Sequence, residues 1–335
     1  MPHRASTLFA SLLLALALTG CPSDPVTDGG LGSDTPTNDA PSTDDAPSEV
    51  DGGAADAPTT TDTGTPTGCG GTTRPDVSAI RGTEGLIVAR DGTLYYSQSR
   101  AVGRLTPTGS PENAWVSLPG GASTVWGIAL DAANETLFVG SPSTGTIYSV
   151  DLRLDAPVAE VFLAGAGAPN GLTVGPDGAL YYSDFSAGRV MRVEARGAAA
   201  TQVTTSGVRG ANGVAFDADG TLLVCSYMTG SLFRLTLADG VETARATVAT
   251  SLGAPDGVAV DASGDLWVTD NSAGRVLRVN AATGAAEAVS TGISAAASLD
   301  FGAGELGCDD LYVASGAALR RLEDVGVNGA DVLWH

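Results

Sequence analysis

Apolar and polar positions alternate with a period of two in short runs along most of the chain, and glycine-bearing turns separate the runs. Residues 169–193, PNGLTVGPDGALYYSDFSAGRVMRV, show the pattern at its clearest. Leu172-Thr173-Val174 alternates, PDG turns the chain, Ala179–Ser183 is a Tyr-rich run, and Gly188 leads into Arg189–Val193, where apolar and basic residues alternate. Each run predicts a strand, and Asp-Gly dipeptides supply the positive φ that hairpin turns need. Nearly the same phrase returns as ANGVAFDADGTLLVCSYMTGSLFRL (211–235) and PDGVAVDASGDLWVTDNSAGRVLRV (255–279). No stretch carries a helical period, since AATGAAEAV (281–289) is short and interrupted by Gly284.

Aligned on itself, the chain contains six copies starting at Glu84, Trp126, Asn170, Asn212, Asp256 and Ala297, spaced 42, 44, 42, 44 and 41 residues apart. A recurring glycine marks the same register: Gly103, Gly145, Gly188, Gly230, Gly274 and Gly316. Three strong strands and a weaker fourth within about 42 residues amount to one propeller blade. The expectation is an all-β chain, a closed six-bladed β-propeller of four-stranded antiparallel blades over residues 68–335. An open β-solenoid is the alternative, but its repeats are shorter and leave apolar ends to be capped.

In a propeller the first strand of each blade lines the central channel, so residues at one phase of the repeat form a ring. Four of the six are oxygen donors: Glu84, Asn170, Asn212 and Asp256; Trp126 and Ala297 complete the ring. Two carboxylates and two amide carbonyls suit a hard divalent cation such as Ca²⁺. Neither histidine falls in a repeat, His3 and His335 being near the ends, and no cysteine falls in the ring, so zinc and copper fit poorly. The competing reading is that Asn-Gly and Asp-Gly are ordinary turn pairs that need no metal. Turn chemistry does not call for Glu84, however, and two axial carboxylates without a cation are costly to bury. Trp126 offers an apolar or stacking wall beside the ring, or simply packs in the core.

The ends of the chain differ from the repeats. Residues 1–20 combine MPHRAS with the apolar run LFASLLLALAL, too short to span a bilayer, as a signal peptide does. Leu18-Thr19-Gly20-Cys21 resembles the lipobox of bacterial lipoprotein signals, which implies lipidation of Cys21 and a membrane held only through that anchor. An ordinary secretory signal is the alternative, and both readings mean export. Pro22 after Cys21 leans toward the outer membrane by analogy with the sorting rule of enterobacteria. Residues 21–67 hold Pro, Thr, Ser, Gly, Asp and Ala with no aromatic and no basic residue, which predicts a disordered acidic tether. The net charge is −21, every basic residue is Arg, and no basic cluster occurs, so nucleic acid is not an expected partner and a monomer is expected. Cys225 lies in an apolar run and reads as a buried thiol, whereas a Cys69–Cys308 bridge would staple the two ends of the ring.

The six repeats, the GTEGLIV start, the NG and PDG strand openings and the closing FGAGELGCDDLYVAS resemble the senescence marker protein/gluconolactonase/luciferin-regenerating enzyme family over about residues 76–322. By that resemblance Glu84, Asn170, Asn212 and Asp256 hold a metal, Ca²⁺ is the expected ion, and the activity is metal-assisted hydrolysis of a lactone or ester. Asp256 is the candidate catalytic carboxylate, either as general base or as nucleophile. The family's sugar-lactone hydrolases carry an Arg two residues before the third-blade Asn, where this chain has Ala168. Arg81 and Arg209, on neighbouring loops, are the cations available to replace it, and a less polar lactone or ester fits better than a gluconate-type substrate. With no histidine in the repeats, neither a Ser-His nor a Cys-His pair can form, which also argues against streptogramin-lyase and paraoxonase chemistry. The alternative to a hydrolase is a surface-displayed propeller with structural calcium that binds a glycan, a peptide or an envelope protein.

Overall fold

The computed structural model describes residues 72–330 apart from 134. The signal segment, Cys21, the tether, Cys69 and His335 lie outside the described residues. Among the described residues there is no α-helix, and the strands form six antiparallel sheets in chain order, as the repeats predict. Five sheets have four strands and the sixth, Ala296–Phe301, Leu311–Ser315 and Arg320–Leu322, has three. In blade 3 the strands are Pro169–Val174, Leu180–Asp184, Arg189–Val193 and Thr201–Gln202, nearly the runs read from the alternation. The stretch 281–289 holds a turn and the start of the strand Ala286–Thr291.

Packing closes the ring. Successive side chains on a strand point to opposite faces, and here each face meets a neighbouring blade. Tyr182 packs with Phe138 and Ile147 of blade 2, while Tyr181 packs with Phe216 and Val224 of blade 4. Strands covered on both faces read as continuous apolar runs, hence LYYS and LLVCS. One cluster joins Leu86, Leu94 and Tyr96 of blade 1 to Ala297, Tyr312 and Ala314 of blade 6, so the first and last blades are in contact. Such closure excludes an open solenoid.

The glycine marker needs one correction. Gly145, Gly188, Gly230 and Gly274 each turn the chain between the second and third strands at φ of 61 to 64°. Gly103 does not: it lies inside the strand Ala101–Leu105 opposite Tyr96, whose ring fills the space a Cβ would take. The spacing matched by coincidence, because blade 1 makes its second turn with Ser99 and Arg100. Cys225 is a free buried thiol, as expected, and Cys308 is disulfide-bonded. No helix among the described residues is long and apolar enough to cross a membrane.

Candidate metal centre and substrate cavity

The ring pairs Asn170-Gly171, Asn212-Gly213 and Asp256-Gly257 are not turns. They lie within innermost strands, on β-bulges where two residues oppose one. Asn170-Gly171 faces Ser183, Asn212-Gly213 faces Cys225, Asp256-Gly257 faces Thr269, and Ala297-Ser298 faces Ala314. A bulge re-aims a side chain, and repeating it at the same phase points successive blades' residues at one place. The second strand supports the bulge chemically. The Gly171 N–H donates to Ser183 Oγ at 2.9 Å, the Gly257 N–H donates to Thr269 Oγ1 at 2.7 Å, and the N–H groups of Glu84 and Gly85 both donate to Ser97 Oγ. Glu84 therefore shares the phase of Asn170 and Asp256, although it sits just before its strand.

The glycine that follows each ring residue is there for proximity. A Cβ on Gly85, Gly127, Gly171, Gly213 or Gly257 would collide with the backbone oxygen of Trp126, Asn170, Asn212, Asp256 or Ala297 respectively, each on the next blade. Ser298 ends the series, and its N–H donates to the Glu84 carbonyl at 3.0 Å, which completes the circle.

The ring encloses a small cavity of about 50 Å³ whose lining includes Glu84, Trp126, Asn170, Asn212, Asp256 and Ser298. The structure thus brings together all four predicted oxygen donors and Trp126. Ala297 is buried against blade 1, and Ser298 takes its place at the cavity. Arg81 and Arg209 are exposed and do not line this cavity. Arg81 donates to the Ala317 carbonyl beside a separate cleft of about 530 Å³.

Electrostatically the cavity lacks positive charge. Burial raises the Glu84 carboxyl to about 7. Burial, then the charge of Glu84, pushes Asp256 well above the carboxylate range, opposed only by a hydrogen bond from Asn212. Asn212 Oδ1 is buried with no partner. Two crowded carboxylates and an orphaned amide oxygen are a set that a hard cation completes, so the residues fit Ca²⁺. A second acidic group, Asp309, Asp310 and Asp324, does not make the same case, because Arg74 bridges all three.

Sequence reasoning missed Phe185 and Tyr227. Each follows the second strand of its blade, and its N–H bonds to the carbonyl two residues before the ring position, Ala168 and Gly210 respectively. Burial, then the charges of Asp256 and Glu84, raise the Tyr227 hydroxyl. The signal was present as a shared offset, SDF in blade 3 and CSY in blade 4.

Residues 82–317 match the family described as SMP-30/Gluconolactonase/LRE-like region. Among solved structures, a putative gluconolactonase aligns with a TM-score of 0.62 at 19% identity, covering 78% of this chain and 94% of its own. A gluconolactonase from Xanthomonas campestris aligns at 0.60 and 21% identity, covering 76% and 87%. A luciferin-regenerating enzyme aligns at 0.61 and 17% identity, covering 76% and 96%. A search of curated proteins found no match.

Proposed function

The chain belongs to the SMP-30/gluconolactonase/LRE-like family, and on that premise we propose that it is a calcium-dependent hydrolase of a lactone or ester. The observation that carries the reading is the pairing of half-buried Glu84 and buried Asp256 with the unpartnered Asn212 oxygen around one cavity. Glu84, Asn170, Asn212 and Asp256 would hold the ion. Bound there, Ca²⁺ supplies polarisation of the acyl oxygen. Asp256 takes the proton from the attacking water, whose hydroxyl joins the acyl carbon as the bond to the ring or ester oxygen breaks. That proton then passes to the departing oxygen. A carboxylate lent to a cation loses basicity, so Asp256 needs one oxygen for the ion and the other for the water. The hydrogen bond from Asn212 fixes its orientation.

One observation favours a second reading. No cationic side chain lines the cavity to grip an anionic substrate, and Ala168 offers only a backbone N–H, already donated to Asp184. A binding propeller with structural calcium is consistent with that absence. Purified full-length chain should carry about one calcium per molecule by elemental analysis, and EDTA should lower its Tm. A panel of lactones and esters should then show turnover that is lost in Asp256→Asn. Metal-free protein indifferent to EDTA would end the calcium reading, and full occupancy without turnover would leave the binding reading. Leu18–Cys21 further supports export and lipidation, testable by palmitate labelling that disappears in Cys21→Ser.

A further inference from the structure

Trp126, Phe185 and Tyr227 form an arc over three consecutive blades at the mouth of the cavity. The Trp126 and Phe185 rings lie 6.1 Å apart at 70°, and Phe185 and Tyr227 lie 5.9 Å apart, also at 70°. Edge-to-face contact of this kind holds each ring through the next. None of the three belongs to the apolar clusters between blades, and all three are only partly buried. Trp126 lines the cavity itself. Beyond Tyr227 the rim continues with Met228, 59% exposed. The Tyr227 hydroxyl donates to Asn271 Oδ1 at 3.2 Å, so its polar end is turned to blade 5 and its ring stays with the arc.

A sugar lactone carries a hydroxyl on nearly every carbon, and each needs a partner when water is removed. Blades 2 to 4 offer rings there instead. We propose that a lactone or ester bearing an aryl or other flat apolar ring docks over this cavity of about 50 Å³, its ring outside it against Trp126, Phe185 and Tyr227 and its acyl group reaching in to Asp256. The word substrate rests on the hydrolase reading; the preference for a flat ring rests on the arc alone. Three rings fixed at the mouth form a preorganised apolar wall, which lowers the ordering cost of binding.

The test uses the calcium-loaded full chain with dihydrocoumarin, glucono-δ-lactone and γ-butyrolactone. Dihydrocoumarin should be preferred over glucono-δ-lactone by about tenfold or more in kcat/KM. Trp126→Ala and Phe185→Ala should each lower the ratio of dihydrocoumarin to γ-butyrolactone turnover about tenfold, mainly through KM. Phe185→Leu, which keeps apolar bulk without a ring, guards against misfolding and should show a smaller loss in the same direction. Preference for glucono-δ-lactone, or an unchanged ratio in the folded variants, would overturn the proposal. If neither these lactones nor the ester panel is hydrolysed, the hydrolase reading fails by itself, and calorimetric titration with phenylpropionate and gluconate decides the arc. Phenylpropionate binding that weakens about tenfold in the variants supports it; no binding to the parent protein, or binding indifferent to the variants, sinks it.

Discussion

Asp256 and Asp270 stand in the same blade, and both are hidden from solvent, at 5% and 0% exposure. Their surroundings are opposite. Asp270 receives the N–H groups of Ala254 and Ala273, the Ser272 hydroxyl and the Arg275 guanidinium. Burial pushes it up, but those bonds outweigh burial and leave it below its ordinary value. Asp256 has only Asn212 to offset burial and the charge of Glu84. One carboxylate braces a turn, and the other is left with a single donor against burial and a neighbouring charge. Burial alone does not separate them; the number of partners does.

Substitution should separate the two roles sharply. On the proposed hydrolase mechanism, Asp256→Asn removes the reacting carboxylate and should cut turnover at least about a thousandfold. In calcium-free protein the same change replaces a buried carboxyl whose ionisation burial and Glu84 already oppose, so at pH 7 the variant should melt no lower than its parent. A large fall in Tm there would mean that Asp256 braces the fold as Asp270 does. Asp270→Asn should do the reverse: a loss of about 2 kcal/mol in unfolding free energy, with activity per folded molecule largely kept. A carboxylate held below its ordinary 3.8 stabilises the fold above that pH and loses its contribution as pH falls through the lowered value. The stability gap between parent and Asp270→Asn, followed by denaturant melts, should therefore close below about pH 4. A gap constant down to acid would refute that assignment. A more local effect is expected at Gly213, where a Cβ would press on the Asp256 carbonyl. Gly213→Ala should cost about 2 kcal/mol and weaken calcium binding, measured by titration with the ion.

Much of this was legible in the chain. The period of two, the turn glycines and the 42-residue repeat specify strands, blades and their number, because alternation and turn chemistry are local properties. The oxygen-bearing residues at one phase could be named for the same reason. Asn-Gly, however, reads equally as a turn or as a bulge, since the dipeptide permits both. Only the pairing of Asn212 and Gly213 with the single Cys225 decides for the bulge. Gly103 misled because a glycine at the right distance carries no record of whether it turns the chain or yields to the Tyr96 ring.

The chain by itself thus determines that six like units exist and which side chains each brings to its first strand. Tertiary structure alone decided that Glu84 and Asp256 crowd each other, that Asn212 keeps an oxygen unpartnered, and that Trp126, Phe185 and Tyr227 meet. The physical reason is that strand pattern is written in neighbours along the chain, whereas charge coupling, desolvation and ring contact depend on distances that exist only after the last blade has closed against the first.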